Sequence, residues 1–199
     1  MKKTIVAAAV AALFAGPSFG FEAGDWLFKA GITNVDPKSN NHPIVSADAG
    51  AALNLNATYL MTDNWAIDIL AAIPFNHEID LAEGGQNVGE TDQLPPTVSL
   101  QYRFAPQARF QPYVGLGVNY TTFFSEKTTG PLEGVDLSLG DSWGLAAQIG
   151  FDYTLNDNWF TSVDLRWMDI DTEAKLDGVS IGDVEIDPLV YGVSFGYRF

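Results

Sequence analysis

Large apolar residues alternate with small or polar ones along most of this chain, with a period of two. The pattern is plainest in residues 53–59, 98–104, 143–153 and 193–199. Because successive side chains of a β-strand point to opposite faces of the sheet, each of these segments has an apolar face and a polar face. The alternation therefore predicts an all-β fold.

Alternation alone does not say which face is buried, because a soluble β-sandwich also alternates, with its apolar face inward. Three features favour a transmembrane barrel whose apolar face meets lipid. The polar set contains fixed charges, as a narrow polar lumen needs, at Lys29, Asp68, Arg103, Asp152, Asp164, Arg166 and Arg198. The apolar set carries aromatic residues at strand ends, at Trp26, Tyr59, Trp65, Tyr102, Phe104, Trp143, Tyr153, Trp159 and Phe199. The last alternating segment also ends on an aromatic residue.

Eight strands are predicted. They cover residues 25–34, 49–60, 65–79, 92–104, 110–126, 140–155, 159–174 and 184–199. Short connections (61–64, 105–108 and 156–158) alternate with long ones (35–48, 80–91, 127–139 and 175–183). An even strand number with short turns at one end and long loops at the other is typical of outer-membrane barrels. We therefore expect an eight-stranded antiparallel transmembrane β-barrel, with periplasmic termini and extracellular loops.

The N-terminus has the pattern of a secretory signal peptide. Lys2 and Lys3 precede an apolar run at residues 4–15, and small residues surround Gly20. We expect cleavage after residue 20, which leaves residues 21–199 as a single barrel domain. No later apolar run approaches the roughly 20 residues of a membrane helix.

Charge and composition exclude several partners. Without Lys2 and Lys3, 8 basic residues face 25 acidic ones, a net charge of −17 that would repel nucleic acid. There is no cysteine, so neither a disulfide framework nor thiol chemistry is available. We expect no cofactor, and outer-membrane lipid and lipopolysaccharide as the surroundings.

Several segments resemble the OmpW family of small outer-membrane proteins, which includes the AlkL-type alkane-uptake proteins. They are AAIPFNHEI, LPPT, PYVGLGVNYTTFF, DLSLGDSWG, WMDIDT, the DP before the last strand, and the terminal GYRF. The resemblance covers essentially the whole mature chain. It implies a barrel with a narrow hydrophobic channel that opens outside and discharges sideways into the membrane. The implied function is passage of small hydrophobic molecules across the lipopolysaccharide layer.

Prolines interrupt two neighbouring predicted strands near the same end. Pro74 breaks strand three, while Pro95 and Pro96 break strand four. Proline donates no ladder hydrogen bond, so we expect the two strands to part there. Leu70 and Ala72 face inward beside the break, which suggests a lateral exit for an apolar solute. The alternative is a simple bulge that ends strand pairing, with no role in transport.

The inward charges should form a nearly neutral network, because charges inside an eight-stranded barrel must be paired. Its predicted members are Lys29, Asp68, Arg103, Asp152, Asp164 and Arg198. One interpretation is structural packing alone; the other is a plug that forces an apolar solute sideways. Arg166 and Met168 complete the predicted channel residues. Arg166 stands where the family resemblance implies a large apolar residue, so this channel is more polar at its base and its cargo less alkane-like.

Acidic residues crowd the strand tips and loops. One group comprises Glu78, Asp80, Glu83, Glu90 and Asp92, and a second comprises Asp169, Asp171, Glu173, Asp177, Asp183, Glu185 and Asp187. Solvation of exposed loops accounts for both; the alternative is divalent-cation bridging to lipopolysaccharide phosphates. Residues 169–173 are too short, and lack the glycine, for an EF-hand loop, so we predict no metal site.

Two other functional classes remain to be weighed. A lipid-modifying enzyme needs a histidine beside a nucleophile, and only His42 and His77 exist, so we expect no enzyme. The alternative to a channel is a structural or surface-receptor barrel, with a filled core and acidic extracellular loops that phage or bacteriocins could exploit. Uptake of a hydrophobic tracer separates the two.

Overall fold

The structure, a computed structural model, describes residues 20–38, 45–47, 50–72, 75–81 and 87–199. Residues 1–19 of the predicted signal peptide lie outside the described residues. Within those ranges no helix has the length and hydropathy needed to cross a bilayer. The described part of the chain contains one helical segment, a 3-10 turn at Gly130–Leu132.

Strands make up most of the described chain, and we number them β1 to β14 in chain order. They are β1 Trp26–Asp36, β2 Val45–Ala47, β3 Gly50–Leu60, β4 Trp65–Ala72, β5 Phe75–Leu81, β6 Asn87–Leu94, β7 Thr97–Arg103, β8 Phe110–Thr128, β9 Leu137–Leu139, β10 Ser142–Thr154, β11 Trp159–Met168, β12 Asp171–Leu176, β13 Val179–Glu185 and β14 Leu189–Arg198.

Eight of these strands close into a barrel. The ring runs β1, β3, β4, β7, β8, β10, β11, β14, and each neighbour is antiparallel to the next. The first and last strands close the ring, in register from Leu27 opposite Arg198 to Asp36 opposite Leu189. The predicted eight-stranded antiparallel barrel is confirmed.

Polar turns join strands at one end of the barrel, which also holds Gly20–Asp25 and Phe199. We call this end the turn end, and we call the opposite end of the barrel the loop end. In one turn the Asn156 side-chain oxygen accepts hydrogen bonds from the backbone N–H groups of Asn158 and Trp159, at 3.0 and 2.9 Å. In another, the Thr62 hydroxyl oxygen accepts one from the N–H of Trp65, at 2.9 Å. Such side-chain bonds are why Asn and Thr favour tight turns.

At the loop end, shorter strands extend the barrel wall. β5 and β6 continue β4 and β7 and join β2 and β8, while β9, β12 and β13 form a separate sheet. The predicted loops 80–91 and 175–183 are therefore shorter than expected. The second is a tight hairpin, because Asp177 and Gly178 both have positive φ, 49° and 78°. That backbone suits the two-residue turn of a hairpin.

The outer face of the barrel is apolar. Leu116 and Trp143 are 73% and 75% exposed, and the neighbouring outward positions along the strands are also large and apolar. An apolar surface that encircles the whole barrel would drive aggregation in water, and a bilayer would cover it.

Aromatic side chains band the outer face. At the turn end, ring centroids lie 4.6 to 4.9 Å apart in the pairs Trp26–Tyr59, Trp65–Tyr102, Trp159–Tyr197, Tyr197–Phe199 and Phe110–Phe151. Nearer the loop end, Tyr120 and Trp143 pair at 4.8 Å. Bands at two heights are the pattern of interfacial girdles, where amphipathic rings meet both headgroup layers.

Candidate functional site: the barrel interior

A layer of buried ion pairs crosses the middle of the barrel. Asp68 of β4 accepts a hydrogen bond from Arg166 Nη2 of β11 at 2.8 Å and lies 3.9 Å from Lys29 Nζ of β1. The Thr58 hydroxyl also donates to Asp68, at 2.6 Å. Arg166 Nε donates to Asp164, 3.1 Å away on the same strand. Two cations and two carboxylates thus balance, as buried charges must.

A second buried ion pair lies nearer the turn end. Arg103 of β7 pairs with Asp152 of β10, and both side chains are fully buried. Arg103 also donates to the side-chain oxygen of Gln101 at 3.3 Å. Its guanidinium lies 5.2 Å from the ring centres of Phe21 and Tyr113. These contacts hold both charges of the pair inside the barrel.

Arg198 does not join this network, although the sequence pattern placed it there. It lies at the turn end, where its Nη1 donates to the backbone oxygen of Gly20 at 2.5 Å and is 3.5 Å from Asp25. Parity along a strand gives the face on which a side chain lies, but not its height in the barrel. Height therefore separates Arg198 from the other charges.

An apolar layer closes the turn end beneath the charges, and it was not predicted from the sequence. It consists of Phe21, Leu27, Leu60, Ala66 and Phe160, each at most 1% exposed. Phe21 packs edge to face on Phe160 at 5.1 Å. Four of the five belong to barrel strands and share their parity with the inward charges. The alternation therefore predicts that these four side chains face inward. Phe21 precedes β1, so the alternation does not orient it.

The loop-end half of the interior combines an apolar cluster with buried uncharged polar side chains, among them Gln93, Asn119, Thr121 and Ser142. Its buried cluster comprises Val35, Phe123, Ala146, Met168, Ile170, Ala174, Val184, Ile186 and Val190. Most of these residues lie on strands β1, β8, β10, β11 and β14 or in the chain that follows β11. Along the barrel axis the interior thus changes from an apolar layer to buried charges, and then to a section of apolar and uncharged polar side chains.

A small cavity lies where the charge layer meets the loop-end cluster. It is lined by Thr33, Asn54, Leu70, Pro95, Asp164, Arg166, Met168 and Val190, and its volume is about 10 Å³. That is room for roughly one water molecule. The structure thus brings together four predicted channel residues: Leu70, Pro95, Arg166 and Met168. Thr33, Asn54 and Val190 were not predicted, although the same parity points them inward.

The pairing of strands changes beside this cavity. The β4–β7 ladder ends with Leu70 opposite Thr97, and the β5–β6 ladder begins with Phe75 opposite Gln93. Pro95 and Pro96 lie in this interval, which we call the proline interval. The Pro96 oxygen accepts from the N–H of Tyr120 at 3.0 Å, which ties this chain to β8.

Of the other two predicted channel residues, the structure describes Ala72. Ala72, the last residue of β4, is the register partner of Asn54 on β3. Pro74 lies outside the described residues.

Acidic groups gather at the loop end. Carboxylate oxygens of Asp169, Asp171 and Asp187 all lie within 4.8 Å of one another. Burial, then the charges of Asp187 and Asp169, raises the pKa of Asp171 above its ordinary value. Lys38 lies 3.6 Å from Asp187, and partly offsets this cluster. Of the two histidines, His42 lies outside the described residues and His77 is in β5.

Three comparisons place this geometry among known proteins. The model of the OmpW family matches residues 22–199. Outer membrane protein W of Vibrio cholerae is 42% identical over 219 residues, with all of both chains covered. Outer membrane protein AlkL of Ectopseudomonas oleovorans is 30% identical over 200 residues, covering 92% of this chain and 85% of AlkL. The crystal structure of OprG from Pseudomonas aeruginosa superposes with a TM-score of 0.81 at 37% identity, covering 92% of this chain and 99% of OprG.

Proposed function

The chain belongs to the OmpW family of outer-membrane β-barrels, and on that premise we propose that it lets small hydrophobic molecules cross the outer membrane. One observation carries the proposal. The loop-end half of the interior contains a buried apolar cluster, whereas a lumen that serves water-soluble solutes is polar. Such an interior offers a hydrophobic solute a path that water and lipopolysaccharide headgroups do not.

The route we propose starts at the loop end and leaves sideways. The charge layer and the apolar layer beneath it close the turn end, because ion pairs and packed side chains fill the section. The proline interval lies just above the charge layer, beside Leu70 and Met168. Unpaired backbone is tolerated at membrane depth only beside protein or a cavity. A solute held in the interior would therefore leave through this interval into lipid.

Orientation and chemistry complete the proposal. The turn end, with both termini, faces the periplasm, and the acidic loop end faces outward, toward lipopolysaccharide. The chain acts as a passage and not as an enzyme. A hydrophobic solute needs no covalent change to move from one apolar environment to another.

A second candidate function is a surface barrel with a filled core. The small cavity favours it, because about 10 Å³ admits no solute unless side chains of the loop-end cluster move. In that case the acidic loop end would serve as a receptor surface, open to phage or bacteriocins.

Uptake measurements separate the two functions. In a Gram-negative strain without its own barrel of this family, cells that produce the chain should take up labelled octane several-fold faster than cells that do not. Ile170→Asn, which places an amide in the buried cluster, should remove most of the gain. Val179→Asn, at an exposed position of the β12–β13 hairpin, is the matched control and should keep it. Equal octane uptake with and without the chain would refute the passage function and favour the surface barrel with a filled core.

A further inference from the structure

Arg166 has more hydrogen-bonding capacity than its neighbours use. Its Nη2 donates to Asp68 and its Nε to Asp164. Its Nη1 is buried without a partner among the described residues, and the whole side chain is 2% exposed. Buried donors in native proteins are nearly always paired, so an unpaired guanidinium nitrogen calls for an explanation.

The cavity beside Arg166 has walls of two kinds. Leu70, Met168, Val190 and Pro95 form the apolar side, and Asp164, Asn54 and Thr33 with Arg166 form the polar side. About 10 Å³ suits one oxygen atom with its hydrogen. The apolar side continues into the loop-end cluster, to which Met168 and Val190 also belong. The site thus has a place for a polar head and a surface for an apolar tail.

The charge balance of the cavity indicates which polar head group it can bind. Lys29 and Arg166 already neutralise Asp68 and Asp164. A carboxylate would add an unpaired negative charge to a buried site, and an ammonium would face the guanidinium; either is costly. A hydroxyl can accept from Arg166 Nη1 and donate to a carboxylate oxygen of Asp164, which has lone pairs to spare. An alkane would leave Nη1 unpaired.

We infer that this cavity binds the uncharged oxygen-bearing head of a small apolar molecule, with alcohols as the best fit and plain hydrocarbons as poor ligands. The inference rests on the proposed function and names the class of molecule that the channel prefers. It also accounts for a buried arginine in an interior that otherwise suits apolar cargo.

Nuclear magnetic resonance on the intact barrel in lipid nanodiscs tests the site directly. The chain has four arginines, so ¹⁵N-arginine labelling gives few side-chain signals to assign. Heptan-1-ol and octane have equal numbers of heavy atoms and are compared at equal mole fraction in the lipid. Heptan-1-ol should shift the Arg166 Nε–Hε signal saturably, and octane about tenfold more weakly. Heptanoate at neutral pH should not shift it.

A charge-balanced double variant tests the same site in cells. Arg166→Met with Asp164→Asn removes one positive and one negative charge together. It should lower the ratio of heptan-1-ol uptake to octane uptake about tenfold. Lys127→Met with Glu90→Gln removes an exposed pair that does not line the cavity, and should keep the ratio. Heat-dependent mobility on gels checks folding. If the first variant does not fold, the resonance measurement on the unaltered chain decides.

Each remaining outcome has a definite meaning. The inference is overturned if octane or heptanoate shifts the Arg166 signal as strongly as heptan-1-ol does. It is also overturned if heptan-1-ol does not shift the signal. If the chain raises octane and heptan-1-ol uptake equally, and both gains persist in both double variants, the inference is overturned. The proposed function still stands in that case. No gain for either molecule overturns both.

Discussion

Thr97 and Met168 touch across the inside of the barrel: the Thr97 hydroxyl donates to the sulfur of Met168 at 3.5 Å. Thr97 is the first residue of β7, beside the proline interval, and Met168 is the last residue of β11. The contact therefore joins the interval to the loop-end cluster.

Truncation of Met168 should weaken the barrel. Met168 is 1% exposed, so Met168→Ala should lower the free energy of unfolding by about 2–5 kcal/mol. Met61 is 42% exposed in a turn, and Met61→Ala should change it by less than about 0.5 kcal/mol. Urea unfolding in micelles, followed by tryptophan fluorescence, gives both values. Equal losses for the two variants would contradict the interior position of Met168.

Pinning the proline interval should slow uptake. Ile69 and Val98 are register partners just below it, and Asn76 and Asp92 are partners just above it. Cysteines at all four positions, once oxidised, should hold the two strands together and reduce octane uptake several-fold. A reductant should restore it.

The chain has no cysteine of its own, so only the introduced cysteines can form disulfides. The matched control is an oxidised cysteine pair at Ile32 and Val193, partners on the unbroken β1–β14 ladder. It should leave uptake unchanged. Undiminished uptake with the interval pinned would exclude a lateral exit there.

Removing one carboxylate should unbalance the charge layer. Asp68→Asn leaves Arg166 and Lys29 with less negative charge nearby, in a buried site. We expect a loss of about 3–5 kcal/mol in the free energy of unfolding. Glu185→Gln breaks the exposed pair with Lys38 and should have no measurable effect. The same urea titration compares them, and similar midpoints would refute the dependence on Asp68.

The turn-end apolar layer should not tolerate a side chain at Gly196. A Cβ there would lie 2.2 Å from Cζ of Phe160. Gly196→Ala should therefore displace the Phe160 ring and cost about 1–3 kcal/mol. At Gly140 the nearest atom would be 3.7 Å away, so Gly140→Ala serves as the control. Refolding yield into lipid vesicles should fall for the first variant alone.

The loop-end hairpin should respond to pH through Asp171. Burial and nearby carboxylates raise its pKa in the folded protein, so its charge opposes folding above that pKa, and the opposition disappears as pH falls through it. Asp171→Asn should thus increase hydrogen-exchange protection of β12 at pH 7. The difference should vanish near pH 3, below the ordinary aspartate pKa of about 3.9.

A neighbour of Asp171 provides a control of opposite sign. Hydrogen bonds from Lys175 and Ser180 lower the pKa of Glu173, so its charge favours the folded hairpin. Glu173→Gln should therefore reduce protection of β12 at pH 7. Protection that changes in the same direction in both variants would contradict the assigned causes.

The barrel wall could be predicted from the sequence because alternation is a local property. Once Asp68 is taken to face inward, parity alone orients Leu70 on the same strand, and Arg166 orients Met168 in the same way. Most of β13 was predicted as part of loop 175–183, although Asp177-Gly178 is a two-residue hairpin signal.

Other features depend on contacts between distant residues. Phe21 lies outside the alternating segments, and its N–H reaches the Pro106 oxygen at 2.9 Å. Arg198 has inward parity, but its height follows from the tilt of the whole barrel, which no short segment encodes. The cavity at Arg166 likewise needs side chains from several strands.

The pairing of β14 with β1 has a consequence for biogenesis. Synthesis yields the first strand early and its partner last, so the ring stays open until the final segment emerges. Throughout that time β1 presents an unsatisfied ribbon of amide and carbonyl groups, which invites adhesion to other chains. Pairing with β14 removes this ribbon, because a closed barrel leaves no free strand edge.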